Sequence, residues 1–237
     1  MNVLAFDTCF GACSAAVLLQ DGVEERLIWR YEEMTTGQAE RLIPMIGEVL
    51  QEVGRKLQSL DAIVVTEGPG TFTGTRIGIA AARGFALASK LPIRATTSLH
   101  VMAHRAAREL GGVPADHGLA VCVDARAGQV FVQLFEPTSV EPLNEAAVLA
   151  PEAAAGLSPG QPLFCVGSGA AIVAEAAARL GRSASSQLPK LQPDARDLAR
   201  MAATLAVRSP LVPLYLRPPD AKPQIGKSLP RACRGGH

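Results

Sequence analysis

The feature that most restricts the fold of this chain is an internal echo. Val3-Leu4-Ala5-Phe6-Asp7-x-x-x-Gly11 returns as Ala120-Val121-Cys122-Val123-Asp124-x-x-x-Gly128, about 117 residues further on. In each copy an apolar run ends at an aspartate, a glycine follows four positions later, and a second apolar-rich stretch comes next, the pattern of a buried strand turning into a hairpin. Two such units at this separation predict two lobes, each opening on a strand pair. Leu163 to Val166, running into Gly167-Ser168-Gly169, matches Val64 to Gly68 of the first half and gives weaker support. The alternative is that Asp-x-x-x-Gly merely marks two unrelated hairpins.

A coarse pass along the chain gives an α/β order. Asn2 to Thr8, Ala12 to Leu19 and Glu24 to Tyr31 predict an antiparallel meander turning at Cys9-Phe10-Gly11 and Gln20-Asp21-Gly22. Gln38 to Val53 switches to helical period with Pro44 inside, as a kink or a late first turn. Asp61 to Glu67 predicts a buried strand, Gly68 to Gly74 a loop and Thr75 to Lys90 a second helix. A strand near Ile93 and a helix from Ser98 to Glu109 follow. The punctuation Gly111-Gly112-Val113-Pro114 places a lobe boundary, giving a first lobe over 1–112 and a second over 113–217. Asp194 to Arg208 predicts a helix and Pro213 to Pro219 an extended segment. The remainder, 218–237, predicts a mobile basic tail, whose Lys222, Lys227, Arg231 and Arg234 are either solvated or touch RNA phosphates.

At 237 residues the chain has room for two cores. Its 48% hydrophobic and 19% charged content argues against disorder, while no apolar run approaches the roughly 20 residues that span a bilayer. The start enters a strand pattern with no basic and then apolar export signal, so a cytoplasmic, membrane-free protein is expected. A net charge of +1, one Trp and two Tyr disfavour a nucleic-acid binder acting alone. Five cysteines without C-x-x-C spacing predict reduced thiols, mostly buried.

Gly68-Pro69-Gly70-Thr71-Phe72-Thr73-Gly74-Thr75-Arg76-Ile77-Gly78 carries the richest local signal. Its glycines and the helix start beyond them can hold an anion. The same residues equally describe a tight strand-to-helix turn capped by Thr71 or Thr73. The Gly-Lys-Ser/Thr ending of a Walker A loop is missing. His100 and His104 have the i, i+4 spacing of a helical metal pair, but Val101 stands where a metallopeptidase needs glutamate, and no third ligand is apparent, so no metal is expected. No nucleophile, base and orienting group come together either, so no catalytic residue is assigned.

The first two helices carry more apolar surface than one sheet uses. Leu42, Ile43, Met45, Ile46, Val49, Leu50 and Val53 span an arc of about 160° on the first, and apolar residues surround the second, interrupted by Arg76 and Arg83. Met45, Val49, Arg76, Ile79, Ala80, Arg83 and Leu87 are therefore expected to form a helix-pair surface for another subunit. The competing expectation is that the chain's own second lobe or last helix covers them.

Asp7 to Ser14, Gly68 to Gly78 with the following helix, Asp124 to Phe131, and Pro213-Leu214-Tyr215-Leu216-Arg217 together resemble the TsaB family, also called YeaZ. The resemblance implies a duplicated actin-like, Hsp70-like ATPase (ASKHA) fold: two lobes, each a mixed sheet flanked by helices, with the second lobe reduced. It also implies a non-catalytic part in making threonylcarbamoyladenosine beside the tRNA anticodon. The implied partners are a catalytic paralogue, TsaD, and an ATPase, TsaE, with tRNA reached through the complex and self-association through the same helices when the partner is missing. In ATPases of this fold Asp7, Gly11, Gly70, Thr71, Asp124 and Gly167 would belong to nucleotide loops. Here no cofactor is required, while weak ATP or ADP binding, or binding at a subunit junction, stays open. Two departures are visible: Gln38 replaces a common His, and Thr71 replaces the usual Ser. The rival reading is an ATPase or metallopeptidase-like enzyme of the same superfamily.

Overall fold

A computed structural model describes residues 1–217; the tail expected over 218–237 lies outside the described residues. The meander expected from the first apolar runs forms as β1 (Val3–Asp7), β2 (Ala12–Asp21) and β3 (Glu24–Glu33). Helix α1 (Gln38–Val53) follows and ends on Gly54, whose positive φ of 68° suits a residue with no Cβ. Then come β4 (Ala62–Thr66), α2 (Phe72–Ser89), β5 (Ile93–Thr96) and α3 (Ser98–Leu110). The first sheet has the order β3-β2-β1-β4-β5, antiparallel within the meander and parallel from β1 to β4 to β5.

The second half runs β6 (Gly118–Asp124), β7 (Val130–Phe135), β8 (Ala147–Leu149), α4 (Pro151–Ala155), β9 (Leu163–Val166), α5 (Ala170–Arg179), β10 (Ala184–Gln187) and α6 (Ala195–Met201). Its sheet, β10-β9-β6-β7-β8, repeats the first strand for strand, with the same parallel and antiparallel senses. The Asp-x-x-x-Gly echo thus marks a true structural duplication, and the architecture is the actin-like, Hsp70-like ATPase fold. The second copy is cut down in its helices and outer antiparallel strands: β8 has 3 residues against 10 in β3, and α4 has 5 against 16 in α1.

Strand alternation decides which helix covers which face. On the first sheet Leu4, Phe6, Ala15 and Val17 pack with α1 and α2, whereas Val3, Ala5, Ala16 and Val64 pack with Ala195, Leu198 and Ala199 of α6. On the second sheet Ala120 and Cys122 pack with α5, and Leu119, Val121 and Val123 pack with Leu99, Met102 and Ala106 of α3. Each lobe is therefore closed by the last helix of the other. The sheets change over between β5 and β6, close to the boundary read at 112, but α3 and α6 do not respect that division. Between them Arg108 donates from Nε and Nη2 to the carboxylate of buried Asp197 at 2.7 and 2.9 Å.

Two element ends differ from the sequence expectation. Helix α2 starts three residues early, because Thr71 caps it from within the glycine-rich run. Helix α6 stops at Met201 rather than Arg208, and the chain continues without regular structure along the first lobe. No helix among the described residues is long and apolar enough to cross a membrane. Because Leu198 is fully buried against the first sheet, Leu198→Ala should cost about 3 kcal/mol of stability, measured by urea unfolding. A near-neutral result would show that α6 is not part of the first-lobe core.

Candidate functional site

Helix α1 does not contribute to an open surface as its sequence suggests. Met45 and Val49 are 0% exposed and Ile79 of α2 is 2% exposed, so these three cannot line a docking face. The broad apolar arc of α1 reflects two covers within one chain: the sheet lies against one side, and Ile77, Ile79 and Phe85 of α2 join the same core on the other. Of the α1 residues on that arc, Ile43 alone is classed as exposed. Helix α2 is different. Phe72, Arg76, Ala80, Arg83, Gly84, Leu87 and Ala88 are exposed and recur every three or four residues, one continuous stripe. Leu87, near the end of this stripe, is 86% exposed, so among the described residues nothing covers it.

The stripe is bordered by the segment that follows α6. Arg208 N donates to Ile93 O at 2.8 Å, the Arg83 guanidinium donates to Leu211 O, and Leu214 N donates to Glu67 O at 2.7 Å. Tyr215 lies beside α2, and Arg217 reaches across to the second lobe, donating to Ala125 O at 2.7 Å and to Gln129 Oε1 at 2.8 Å. The sequence showed that this stretch is extended but held no signal for where it docks. The sequence reading puts Phe72 in the loop Gly68 to Gly74, and the early start of α2 at Phe72 is what brings it onto the stripe; Tyr215 is not assigned to this surface by the sequence either.

The residues compared with nucleotide loops are brought to the junction of the lobes, but as two unlike sets. Asp7 is fully buried, and its carboxylate accepts hydrogen bonds from Thr66 Oγ1 and from Cys9 N at 3.2 Å. Burial pushes its pKa up to about 6. Gly11 N donates to Gln192 Oε1 at 2.8 Å, so a side chain from the approach to α6 fills the position in front of the first hairpin. A Cβ on Gly70 would stand 2.4 Å from Cys9 O, and one on Gly74 would stand 2.1 Å from Thr8 O. These glycines therefore serve a close seating of the loop on the end of β1. Thr71 Oγ1 accepts from Gly74 N at 3.0 Å, which gives it the capping role among the alternatives open in the sequence. Asp124, by contrast, is exposed and accepts from Arg126 N at 2.8 Å, and a Cβ on Gly167 would meet Cys122 O at 2.5 Å.

Of the histidine pair, His100 is buried and His104 half-buried. His100 Nδ1 lies 2.9 Å from Thr96 Oγ1, and its ring stacks on Phe135 at 5.5 Å and lies 5.0 Å from His104. Burial lowers the His100 pKa to about 4, keeping the ring neutral. Among the described residues no three or more His, Cys, Asp or Glu side chains are placed to hold a metal ion. Cys9, Cys13, Cys122 and Cys165 are free and buried, and Cys233 lies outside the described residues.

Fold and surface together define a two-lobed actin-like protein whose open feature is a helix stripe on the outer face of the first lobe. Comparison with known proteins narrows the class. A family model described as TsaD, tRNA N6-adenosine threonylcarbamoyltransferase, matches residues 32–208. The solved structure of YeaZ from Pseudomonas aeruginosa has a TM-score of 0.74 and 31% identity, covering 91% of this chain and 99% of that one. An uncharacterized protein of Mycobacterium tuberculosis is 32% identical over 228 residues, 94% of each chain. The tRNA threonylcarbamoyladenosine biosynthesis protein TsaB of Escherichia coli is 36% identical over 131 residues, 55% of this chain and 53% of that protein. The match thus spans about half the length of that relative and of its Haemophilus influenzae counterpart. The chain belongs to the TsaD-type family matched by that model and, within it, to the TsaB (YeaZ) branch.

The buried Asp7 has a readable consequence. With its folded pKa near 6 and its ordinary value at 3.8, the folded state holds the extra proton between those limits, so this group lowers stability as pH rises through that window. Asp7→Asn removes the penalty. Relative to the parent, its unfolding free energy should rise by about 2 kcal/mol between pH 4 and pH 7 in urea titrations. Parallel pH profiles for the two proteins would contradict the burial of an ionisable Asp7.

Proposed function

We propose that this chain is a non-catalytic subunit in the formation of threonylcarbamoyladenosine on tRNA, docking a TsaD-like catalytic paralogue through the exposed stripe of α2. The observation that carries the reading is that stripe: an apolar and small-residue face, ending in fully presented Leu87, that the chain's own lobes leave open. Ala80, Gly84 and Ala88 let a second helix approach closely, and Phe72 and Leu87 supply the area that association needs. Membership in the TsaB branch supports the pathway, and a TsaD-like paralogue is the partner that this reading adds. A TsaE-like ATPase would join the same complex, and tRNA would meet this chain only through it.

The lobe junction supports an accessory role. Asp7 is engaged with Thr66 and Cys9, and Gly11 is engaged with Gln192, so the groups that a nucleotide would use are satisfied from within. On this reading no cofactor is required by the chain itself. When the paralogue is missing, the same stripe is the surface through which two copies would self-associate, and the cytoplasm, where tRNA is modified, is the expected location.

Titration calorimetry of the full chain against its TsaD-like paralogue tests the docking role. Burying a whole apolar side chain is worth about 1.5–3 kcal/mol, so Leu87→Glu should weaken association by about tenfold to a hundredfold. Undiminished affinity in a variant whose circular dichroism matches the parent would remove the stripe from the interface.

A further inference from the structure

Helix α2 contains no Asp or Glu, yet it exposes two arginines on its open stripe. Eight other described arginines reach a carboxylate, among them Arg41 with Glu32 and Glu48, Arg108 with Asp197, Arg179 with Glu152, and Arg208 with Glu67. Arg83 and Arg76 do not. Arg83 turns back to Leu211 O and is tied down. Arg76 is held differently. Its guanidinium carbon lies 3.4 Å from the Phe72 ring centroid, and its Nε donates to Tyr215 Oη at 2.6 Å. The Phe72 and Tyr215 rings are themselves 5.8 Å apart at an interplanar angle of 24°. All three residues are exposed.

This clamp fixes a long side chain that would otherwise sample many rotamers, and it uses only Nε. Among the described residues Nη1 and Nη2 of Arg76 make no hydrogen bond, so a planar two-pronged donor is left presented beside an apolar stripe. Its position in the helix adds to the imbalance. Arg76 is the fifth residue of α2, close to the positive end of the helix dipole, where a cation is disfavoured and an anion is favoured. A carboxylate matches both the bidentate geometry and the sign of the local field.

We propose that Arg76, clamped by Phe72 and Tyr215, is a preformed receptor for a carboxylate on the helix that packs against α2. The proposal rests on the docking reading above and specifies its chemistry: the partner helix carries an Asp or Glu opposite the first turns of α2. It also makes Tyr215 a positioning residue. Charge argues against a second copy as the natural occupant, since two α2 stripes brought together would add cation to cation with no acid on either helix.

The test compares the parent, Leu87→Glu, Arg76→Gln, Arg76→Lys and Tyr215→Phe for binding to the TsaD-like paralogue at low and high salt. Arg76→Gln should weaken binding about tenfold at low salt, with the loss shrinking as salt rises. Arg76→Lys keeps the charge but loses the fork, and should recover only part of the affinity. Tyr215→Phe removes one hydroxyl and should weaken binding about threefold without changing the salt slope. If Leu87→Glu disrupts the complex while all Arg76 and Tyr215 variants bind as the parent does, the receptor is overturned and the docking surface stands. If Leu87→Glu also binds as the parent does, the docking surface falls and the receptor with it. Self-association of the chain alone that Arg76→Gln weakens would make a second copy the occupant and overturn the acidic-helix assignment.

Discussion

The outer face of this protein depends on how closely the entry to α2 is pressed onto the end of β1. Thr71 N donates to Cys9 O at 2.7 Å, Thr8 Oγ1 donates to Gly74 O at 2.7 Å, and at Gly70 and Gly74 there is no space for a Cβ between the two segments. The contact joins the first strand to the second helix across more than sixty residues of chain. It fixes the height and rotation of α2 above the sheet, and hence which residues are enclosed with Phe6 and Val65 and which remain outside. A glycine-rich run that resembles an anion cradle thus acts as a mechanical seat.

How much of this was legible in the sequence depended on whether the signal was local. The duplication could be read because a buried strand ending in Asp and turning at Gly uses few residue types. The α1 limits could be read because apolar periodicity begins after Gly37 and ends before Gly54. The role of α1 was misread for a definite physical reason: an apolar arc reports how much of a helix is covered, and nothing about whether the cover comes from the same chain. Ile77, Ile79 and Phe85 of α2 belong to the same core as Met45 and Val49, within one chain. The contacts of Tyr215, Gln192 and Arg217 escaped notice because their partners, Arg76, Gly11 and the β6–β7 hairpin, are far away in sequence and no periodic pattern links them.

The two halves show what a duplicated fold can lose while keeping its topology. Strand order and sense survive in both sheets, but α4 is a single short turn-rich helix where α1 is long, and β8 is a remnant of β3. The matching aspartates have diverged with their surroundings: Asp7 is sealed beneath its hairpin, and Asp124 faces solvent. Reduction of the second half leaves the large outer helices, and with them the open stripe, on the first half alone.

The exchange of closing helices also constrains the order in which the chain can become a protein. During synthesis the first sheet is finished by residue 96, yet the helix that shields its inner face begins at residue 195. Val3, Ala5 and Val64 therefore lack their α6 cover until nearly the whole described polypeptide has left the ribosome. A molecule built this way cannot complete both faces of its amino-terminal sheet from the amino-terminal half alone.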